Sequence, residues 1–309
     1  MRIGLIDVDG HNFPNLALMR ISAYHKACGD FVEWWQTDFI YYDKIYMSKI
    51  FSDAYSSDIQ TPVNCGEVIR GGTGYSIYLG DDGKERFNTA SHKNLPAEIE
   101  KMFPDYSIYP QFDFAVSMTS RGCPRGCAFC HVASKEGRCA RKCADVSDFW
   151  CGQSEIKVLD PNITALKETE KRDLMQQYIE TGAWIDFTQG IDIRLINEAD
   201  IDDLNRMKIK TIHFAWDNPE DDLEGRFRLF ADKFKIKDNR KKIVYVLTNF
   251  NSTIRQDLRR IYLLRDMGYD PYVMIYNKPN APKQIRNLQR WCNNRIIFKS
   301  VKRFEDYKP

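Results

Sequence analysis

The feature that most constrains the fold is a regular alternation of short apolar segments and longer amphipathic segments after residue 154. The apolar segments predict β-strands, because each is short, rich in β-branched or aromatic residues and bounded by polar residues. These strands are Glu155–Leu159, Trp184–Thr188, Thr211–Trp216, Lys242–Leu247 and Tyr272–Tyr276. The helices predicted between them are Thr164–Glu180, Glu198–Met207, Leu223–Phe234 and Ile254–Met267. With a further strand at Phe112–Met118, the pattern predicts an α/β fold with six parallel strands.

Polar residues follow the carboxyl ends of these strands, where α/β barrels place their active sites. The residues are Asp160, Asn162, Arg194, Asp217, Thr248 and Asn249. Asp and Asn are also preferred at the N-termini of helices. Asp160, Asp217 and Asn249 therefore have two interpretations, a binding role or the capping of the helix that follows.

A cysteine-rich loop begins directly after the first of the six strands. Cys123, Cys127 and Cys130 form a C-x3-C-x2-C run. Glycine and proline residues in this run keep it out of regular structure, so that it can wrap around a cofactor. Three thiolates can bind three irons of a cubane 4Fe–4S cluster and leave the fourth iron open to another ligand. Zinc sites usually pair two C-x2-C units or add histidines, so the spacing favours the cluster.

The cysteine run, with Phe129 before its last cysteine, resembles the C-x3-C-x-aromatic-C signature of the radical S-adenosylmethionine (radical SAM) superfamily. The resemblance implies a partial (β/α)6 barrel, similar to a TIM barrel, and an open iron that chelates the amino and carboxylate groups of S-adenosylmethionine. One electron, from a donor such as flavodoxin or ferredoxin, then breaks the sulfur–C5′ bond and yields a 5′-deoxyadenosyl radical. The resemblance leaves the catalytic residues, the reaction type and the substrate open.

The resemblance also implies roles for the polar residues at the strand ends. The implied contacts are Asp160 and Asn162 at the methionine amine, Arg194 at the carboxylate, Asp217 at the ribose hydroxyls, and Thr248 and Asn249 at the adenine. A guanidinium suits a carboxylate because it can form two parallel hydrogen bonds with it. The chain departs from the family pattern in two places, since Gly-Gly-Glu does not follow the second strand and Glu-Ser-Gly does not follow the fourth.

The N-terminal third predicts a separate small α/β domain. The predicted strands and helix are Arg2–Asp7, Leu16–Cys28 (the helix), Phe31–Trp35, Lys44–Ser48 and Glu67–Arg70. This Rossmann-like order resembles the cobalamin-binding-type domain that precedes many radical SAM enzymes. The cobalamin-ligating Asp-x-His-x-x-Gly motif is absent, and Asp9-Gly10-His11 has the wrong spacing. We therefore expect a degenerate domain without cobalamin, although a cobalamin-dependent radical SAM methyltransferase stays an alternative.

These patterns predict three regions: 1–110, the Rossmann-like domain and a connector; 111–280, the barrel; and 281–309, a basic C-terminal extension. From Arg255 to the end the chain has 13 Lys or Arg and 5 Asp or Glu, a surplus of +8 in a chain of net charge +2. Basic residues interleaved with aromatic residues such as Trp291 would suit a nucleotide or nucleic acid. They would equally suit a solvated terminal helix that caps the barrel.

A second cysteine group, Cys139, Cys143 and Cys151, follows the loop and could bind a second cluster or consist of incidental thiols. Nine cysteines without a secretion signal or a membrane span predict a cytoplasmic protein whose thiols are metal ligands or buried side chains. The alternative to an enzyme is a non-catalytic iron–sulfur or zinc protein that binds nucleic acid through the basic C-terminal region.

Overall fold

The computed structural model describes residues 1–309 and divides into two compact units. The first unit contains Met1–Ser117, His131–Glu136 and Ser147–Cys151. The second contains Met118–Cys130, Gly137–Val146 and Gly152–Pro309. The cysteine loop therefore belongs to the second unit, and so does the basic C-terminal region. No helix combines the length and the apolar character that a membrane span requires.

The first unit is built on a parallel sheet of four strands in the order β2-β1-β3-β4. The strands are β1 Arg2–Asp7, β2 Phe31–Trp34, β3 Tyr42–Ser48 and β4 Cys65–Gly71. Helix α1, Leu16–Ala27, begins after Asn15, whose side chain accepts the Leu18 amide, and packs Leu18 and Ile21 onto β1. The predicted strands and helix of this region are confirmed within a few residues at each end.

Short elements complete the first unit. A hairpin of β5 Ile77–Leu79 and β6 Glu85–Phe87 surrounds the turn at residues 80–84. Two helices of four and five residues, α2 Ala97–Glu100 and α3 Val132–Glu136, and strand β7, Ala115–Ser117, follow. Strand β7 lies inside the predicted strand Phe112–Met118 and ends where the second unit begins.

The second unit contains a parallel sheet in which β10 to β14 lie in the order β14-β13-β12-β11-β10. These strands are β10 Glu155–Val158, β11 Trp184–Phe187, β12 Lys208–Ala215, β13 Lys242–Thr248 and β14 Asp270–Ile275. The helices are α4 Glu168–Thr181, α5 Glu198–Arg206, α6 Glu224–Lys233, α7 Ile254–Asp266, α8 Lys283–Asn293 and α9 Arg295–Ser300. A short antiparallel pair, β8 Ser120–Arg121 and β9 Arg141–Lys142, precedes the sheet. The predicted alternation is confirmed, and the protein is a mixed α/β structure with parallel sheets.

The helices of the second unit are not capped by the residues that the sequence offered for that role. Helix α4 begins after Lys167 and α6 after Leu223, neither with a side-chain cap. Helix α7 begins at a capping box formed by Thr253 and Gln256. The capping interpretation of Asp160, Asp217 and Asn249 is therefore wrong, because several residues separate each of them from the helix that follows.

The basic C-terminal region packs onto the sheet as part of the second unit. Helix α8 buries Leu288 and Trp291, and the Trp291 indole donates to the Val301 carbonyl at 2.9 Å. The Gln289 side chain donates to the Val273 carbonyl of β14 at 3.0 Å. Trp291 is fully buried, so its ring cannot stack on a nucleic-acid base. The basic residues of α8 are exposed to solvent, away from the face that contains Leu288 and Trp291; they are Lys283, Arg286 and Arg290.

A buried arginine joins the carboxyl ends of β12 and β13. Arg260 of α7 is fully buried and donates to the carbonyls of Trp216, Asp217 and Leu247 at 2.5–2.9 Å. Its partner Asp257 is also buried, with an Oδ1–Nη2 distance of 2.6 Å. Because carbonyls at strand ends have no further strand residue to bond, this guanidinium replaces the missing donors.

We expect Arg260→Met to destabilise the second unit by about 3–5 kcal/mol, because it leaves Asp257 as a buried, unpaired charge. The double variant Asp257→Leu/Arg260→Met should recover part of this loss, since it removes both charges. Urea denaturation followed by circular dichroism measures both, and Arg259→Met, an exposed neighbour on the same helix, is the control. Equal stability of Arg260→Met and Arg259→Met would contradict the prediction.

Candidate functional site

The cysteine loop is fixed at its first residues by backbone contacts with the segment 137–142. Strand β8 pairs with β9, and the Cys123 amide donates to the Gly137 carbonyl at 3.2 Å. Gly122 has φ +84°, and a Cβ at this position would lie 2.2 Å from the Cys139 carbonyl oxygen. Only glycine fits this close approach without strain. The segment after the loop therefore folds back and holds the first cysteine in place.

Asp160 connects the cysteine loop to the end of β10. Its carboxylate accepts hydrogen bonds from the Thr119 amide at 2.8 Å, the Thr119 hydroxyl at 2.9 Å and the Ser120 hydroxyl at 2.5 Å. The side chain is fully buried, and this burial raises its pKa to about 6, against the hydrogen bonds, which lower it. All these partners lie just before the loop, so Asp160 positions the loop. It was predicted at the methionine amine of the cofactor, but its oxygens are already engaged.

Asn162 lies two residues further and contacts the first cysteine directly. Its Nδ2 atom donates to the Cys123 sulfur at 3.5 Å, and its Oδ1 atom accepts from the Thr164 hydroxyl at 2.8 Å. The second hydrogen bond fixes the amide so that its N–H group faces the sulfur. Hydrogen bonds to cysteine sulfur are one of the means by which proteins set the potential of iron–sulfur clusters.

A chain of alternating charges runs from the cysteine loop to the end of β12. Arg125 of the loop donates to Asp192 at 2.6 Å, Asp192 accepts from Arg194 at 2.9 Å, and Arg194 donates to Asp221 at 2.5 Å. Burial alone would raise the pKa of Asp192, but the two arginines lower it below its ordinary value. This series of ion pairs keeps Arg194 charged and half-buried beside the loop.

Cys127 lies among groups of both charges. Burial raises the pKa of its thiol, and Cys130, Asp217 and Cys123 raise it further, whereas Arg194 opposes them. Burial also raises the pKa of Asp217 to about 6, although Arg260 and Arg194 lower it. The structure thus brings Arg194 and Asp217, both predicted from sequence, close to the second cysteine. The neighbouring residues alone do not stabilise a thiolate at Cys127, so a bound cation would have to do so.

Aromatic rings connect the loop to the ends of β13 and β14. Phe129 contacts Phe250 edge to face, with ring centroids 5.5 Å apart, and Phe250 contacts Tyr276 at 4.9 Å. Asn249 has φ +60°, which is uncommon for a residue other than glycine, and its Nδ2 atom donates to the Tyr276 carbonyl at 2.8 Å. The buried Thr248 donates to the Met274 carbonyl at 3.2 Å. The side chains of Thr248 and Asn249, and the Thr248 carbonyl, which accepts from the Tyr276 amide at 3.0 Å, thus bond the neighbouring strand.

The second cysteine group is not gathered into a site. Cys139, Cys143 and Cys151 are exposed, and the Cys139 and Cys143 sulfurs lie near the carbonyls of Ala140 and Met118 at 3.6 Å. Cys151 belongs to the other structural unit. No disulfide forms, and no three His, Cys, Asp or Glu side chains are arranged to hold one metal ion.

The first cysteine group supplies three thiols, the number that a cubane with one open iron requires. In a cubane each thiolate binds a different iron, so the three sulfurs lie further apart than around one zinc ion. Cys123 and Cys130 are near enough to Cys127 to raise the pKa of its thiol. With Asn162 as a donor to the Cys123 sulfur, this donor set fits a 4Fe–4S cluster.

His11 is the histidine at the position where a cobalamin ligand was considered, and it is exposed. The His11 ring packs against Trp34 and Tyr109, with centroids 4.2 and 5.8 Å apart. A Cβ on Gly72 or Gly74 would lie 2.2 Å from a carbonyl oxygen of the segment that follows β3. These glycines therefore allow the close packing of a turn, and the segment that follows β3 fills the carboxyl edge of that strand.

Several site residues were not identified from the sequence. They are Arg125, Asp192, Asp221, Phe250, Tyr276 and Arg260. The first five lie within a few residues of the cysteines or of a predicted strand end, and that proximity was the available signal. Arg260 gave none, because an arginine on an amphipathic helix is ordinarily exposed.

Comparison with known proteins gave solved structures alone. No protein-family model and no curated protein matches the chain. The radical S-adenosylmethionine methyltransferase TsrM from Kitasatospora setae, with tryptophan substrate and the analogue aza-SAM bound, superposes with a TM-score of 0.42 at 12% identity, over 88% of this chain and 67% of TsrM. TsrM with cobalamin and a [4Fe-4S] cluster gives 0.40 at 13% identity, over 88% and 66%. The chain thus spans about two thirds of the length of TsrM.

We expect Asn162→Ala to make the reduction potential of a bound cluster more negative, because the variant loses a hydrogen bond that stabilises negative charge on Cys123. An outer-shell partner typically changes an equilibrium by at least about tenfold, which is about 60 mV for one electron. Anaerobic redox titration of the reconstituted protein measures the shift. Asn205→Ala, which removes a surface hydrogen bond to the Lys233 carbonyl, is the control, and an unchanged potential in Asn162→Ala would contradict the assignment.

We expect the stability contribution of Asp160 to depend on pH. Its pKa of about 6 in the folded protein lies above the ordinary value of 3.8, so the contribution is complete below about pH 4 and is lost as the pH rises through 6. From pH 5 to pH 8 the wild type should therefore lose roughly 1 kcal/mol relative to Asp160→Asn. Urea denaturation of both proteins at fixed ionic strength measures this change, and a difference that does not vary with pH would refute it.

Proposed function

We propose that the protein is a radical SAM enzyme that binds a 4Fe–4S cluster through Cys123, Cys127 and Cys130 and cleaves S-adenosylmethionine reductively. The observation that carries the proposal is the position of the C-x3-C-x2-C loop. The loop lies at the carboxyl edge of a parallel sheet, fixed by Asp160 and packed through Phe129 against Phe250. Carboxyl edges are where α/β barrels act on ligands, and a loop with three thiols leaves one iron of a cubane open.

We also propose a partial barrel for the second unit and a Rossmann-like fold for the first. The alternation of β10 to β14 with helices, preceded by β7, supports a partial (β/α)6 barrel. The strand order β2-β1-β3-β4 supports a Rossmann-like first unit of the cobalamin-binding type. The packing around Gly72 and Gly74 favours a first unit that does not hold cobalamin. Methyl transfer through cobalamin, the activity of TsrM, is therefore the second candidate and not the first.

The charged groups beside the loop suit a zwitterionic ligand. Arg194 would bind the carboxylate of S-adenosylmethionine through the donors that Asp192 and Asp221 leave unused. The partly buried Asp217 would accept from the ribose hydroxyls, and the turn at Thr248 and Asn249 would contact the adenine. When bound, the cluster supplies the electron that breaks the sulfur–C5′ bond. The protein itself would bind and orient S-adenosylmethionine and exclude water from the site.

The electron requires a low-potential donor, for which we propose flavodoxin or ferredoxin. A nucleotide substrate remains compatible with the basic C-terminal region, whose lysines and arginines are exposed although Trp291 is not. A non-catalytic nucleic-acid-binding protein would not need a residue such as Arg194 held half-buried and charged beside Cys127.

We expect the anaerobically reconstituted protein to bind about four irons and to release 5′-deoxyadenosine when S-adenosylmethionine and dithionite are supplied. Cys127→Ala should abolish the product, because the cluster would lose one of its three protein ligands. Liquid chromatography with mass detection measures the nucleoside, and iron analysis measures the cluster.

Two variants serve as controls for this experiment. Cys28→Ala removes an exposed thiol in the first unit, and Cys139→Ala removes one of the second group; both should retain the iron and the activity. Zinc without iron uptake, or equal product from wild type and Cys127→Ala, would exclude the proposed reaction. Loss of iron from Cys139→Ala would instead indicate an auxiliary cluster.

A further inference from the structure

A cavity of about 450 Å³ lies on the opposite side of the second unit's sheet from helix α6. On the helix side Phe214 packs against Phe227 and Phe230, and that face is apolar. On the cavity side the strands carry His213, Tyr245 and Tyr272 instead. Ligand cavities typically enclose about 300–1,000 Å³ and combine aromatic walls with a few polar groups. The size and the lining of this cavity are of that kind.

The strand register places the lining residues in two rows. His213 is paired with Ile243, and Ile243 with Asp270, so these three lie at one level of the sheet. Tyr245 and Tyr272 form the next level on the same face. Neighbouring strands are about 4.8 Å apart, so the Cα atoms of His213 and Asp270, which lie two strands apart, are separated by about 10 Å.

The walls of the cavity are aromatic and partly exposed. The His213 and Tyr245 rings stack at 5.3 Å with an interplanar angle of 17°, and Tyr245 meets Tyr272 edge to face at 5.9 Å. Tyr272 is 41% and Met274 44% exposed, although both lie in a strand whose other face is buried. Large apolar side chains left open in a concave wall are a property of binding sites, because their exposure otherwise costs free energy.

One end of the cavity presents a hydrogen-bond acceptor. The His213 Nδ1 atom lies 2.7 Å from the Phe187 carbonyl oxygen. A carbonyl oxygen can accept but not donate, so Nδ1 carries the proton and Nε2 is left as the acceptor. Burial lowers the pKa of this imidazole, which favours the neutral form. His213 can therefore accept a hydrogen bond from a ring N–H group.

The other end presents a cation. The Arg295 Nε atom donates to Asp270 at 2.8 Å, and the Arg295 side chain is about half exposed. Asp270 accepts from the Nε–H group of Arg295, which leaves the two Nη groups of Arg295 for a ligand. A guanidinium with two such groups suits a carboxylate or a phosphate. The Nη groups of Arg295 thus supply donors for an anionic group at this end of the cavity.

We propose that this cavity binds a planar heteroaromatic molecule that carries both a ring N–H group and an anionic group. The ring packs against Tyr245 and Tyr272, its N–H group donates to Nε2 of His213, and its anionic group bonds to Arg295. Nothing in this arrangement uses the cysteines, so the site goes beyond the proposed cleavage of S-adenosylmethionine and does not depend on it.

The test is calorimetric titration of the full-length, cluster-loaded protein with two probes of this chemistry. Guanosine 5′-monophosphate has a phosphate, and tryptophan has a carboxylate; both have a ring N–H group. We expect saturable binding of at least one probe, and the stronger one identifies the source of the anion. Guanosine, without the phosphate, and 1-methyltryptophan, without the ring N–H group, should each bind about tenfold more weakly than its parent.

Variants of the lining residues test whether the probes bind in this cavity. Tyr272→Ala removes an exposed ring and should weaken the preferred probe by about tenfold. Arg295→Met should weaken binding of the preferred probe by about tenfold, while Arg286→Met, which changes a solvent-exposed arginine of α8 that does not line the cavity, should have no effect. Absence of saturable binding by both probes, or full affinity in both Tyr272→Ala and Arg295→Met, would overturn the proposal.

The outcomes for the cavity and for the cysteine loop are separable. A protein that releases 5′-deoxyadenosine but binds neither probe has the proposed reaction without this site. A Cys127→Ala protein that releases none and still binds a probe has the site without the reaction. Loss of binding in Cys127→Ala would contradict the independence of the two.

Discussion

The site depends on one buried carboxylate. Asp160 follows β10 and accepts from Thr119 and Ser120, which precede the cysteine loop. A buried charge is costly unless hydrogen bonds satisfy it, and these partners come from a segment 40 or 41 residues away in sequence. The buried Asp160 carboxylate therefore receives its hydrogen bonds only when the cysteine loop lies at this position on the sheet. Asn162, two residues later, extends the same connection to the Cys123 sulfur.

The loop is also held by alternating charges rather than by apolar packing alone. Arg125, Asp192, Arg194 and Asp221 form a series of ion pairs from the loop to the residues after β12. Such a series keeps a half-buried arginine charged, because each cation has an anion beside it. The arrangement leaves Arg194 near Cys127 and Asp217, where positive charge is useful to an anionic ligand.

The two faces of one sheet have different roles. The face towards α6 is aromatic and closed, with Phe214 in contact with Phe227 and Phe230. The opposite face carries His213, Tyr245 and other polar or aromatic residues and borders a cavity. Because side chains alternate along a strand, a single sequence of eight residues in β12 supplies both surfaces. The closed face stabilises the fold, and the open face is available for binding.

The sequence by itself determined the alternation of strands and helices, the parallel sheets and the three-cysteine loop, because these depend on local periodicity and on spacing within eight residues. It also placed Arg194 and Asp217 near that loop. Only the tertiary structure decided that Asp160 positions the loop and that Asn162 contacts the Cys123 sulfur. It also showed that Asp160, Asp217 and Asn249 do not cap the helices that follow them. It also revealed Arg260 and buried Trp291. These features depend on contacts between segments 10 to about 44 residues apart, and local patterns cannot specify which distant groups will meet.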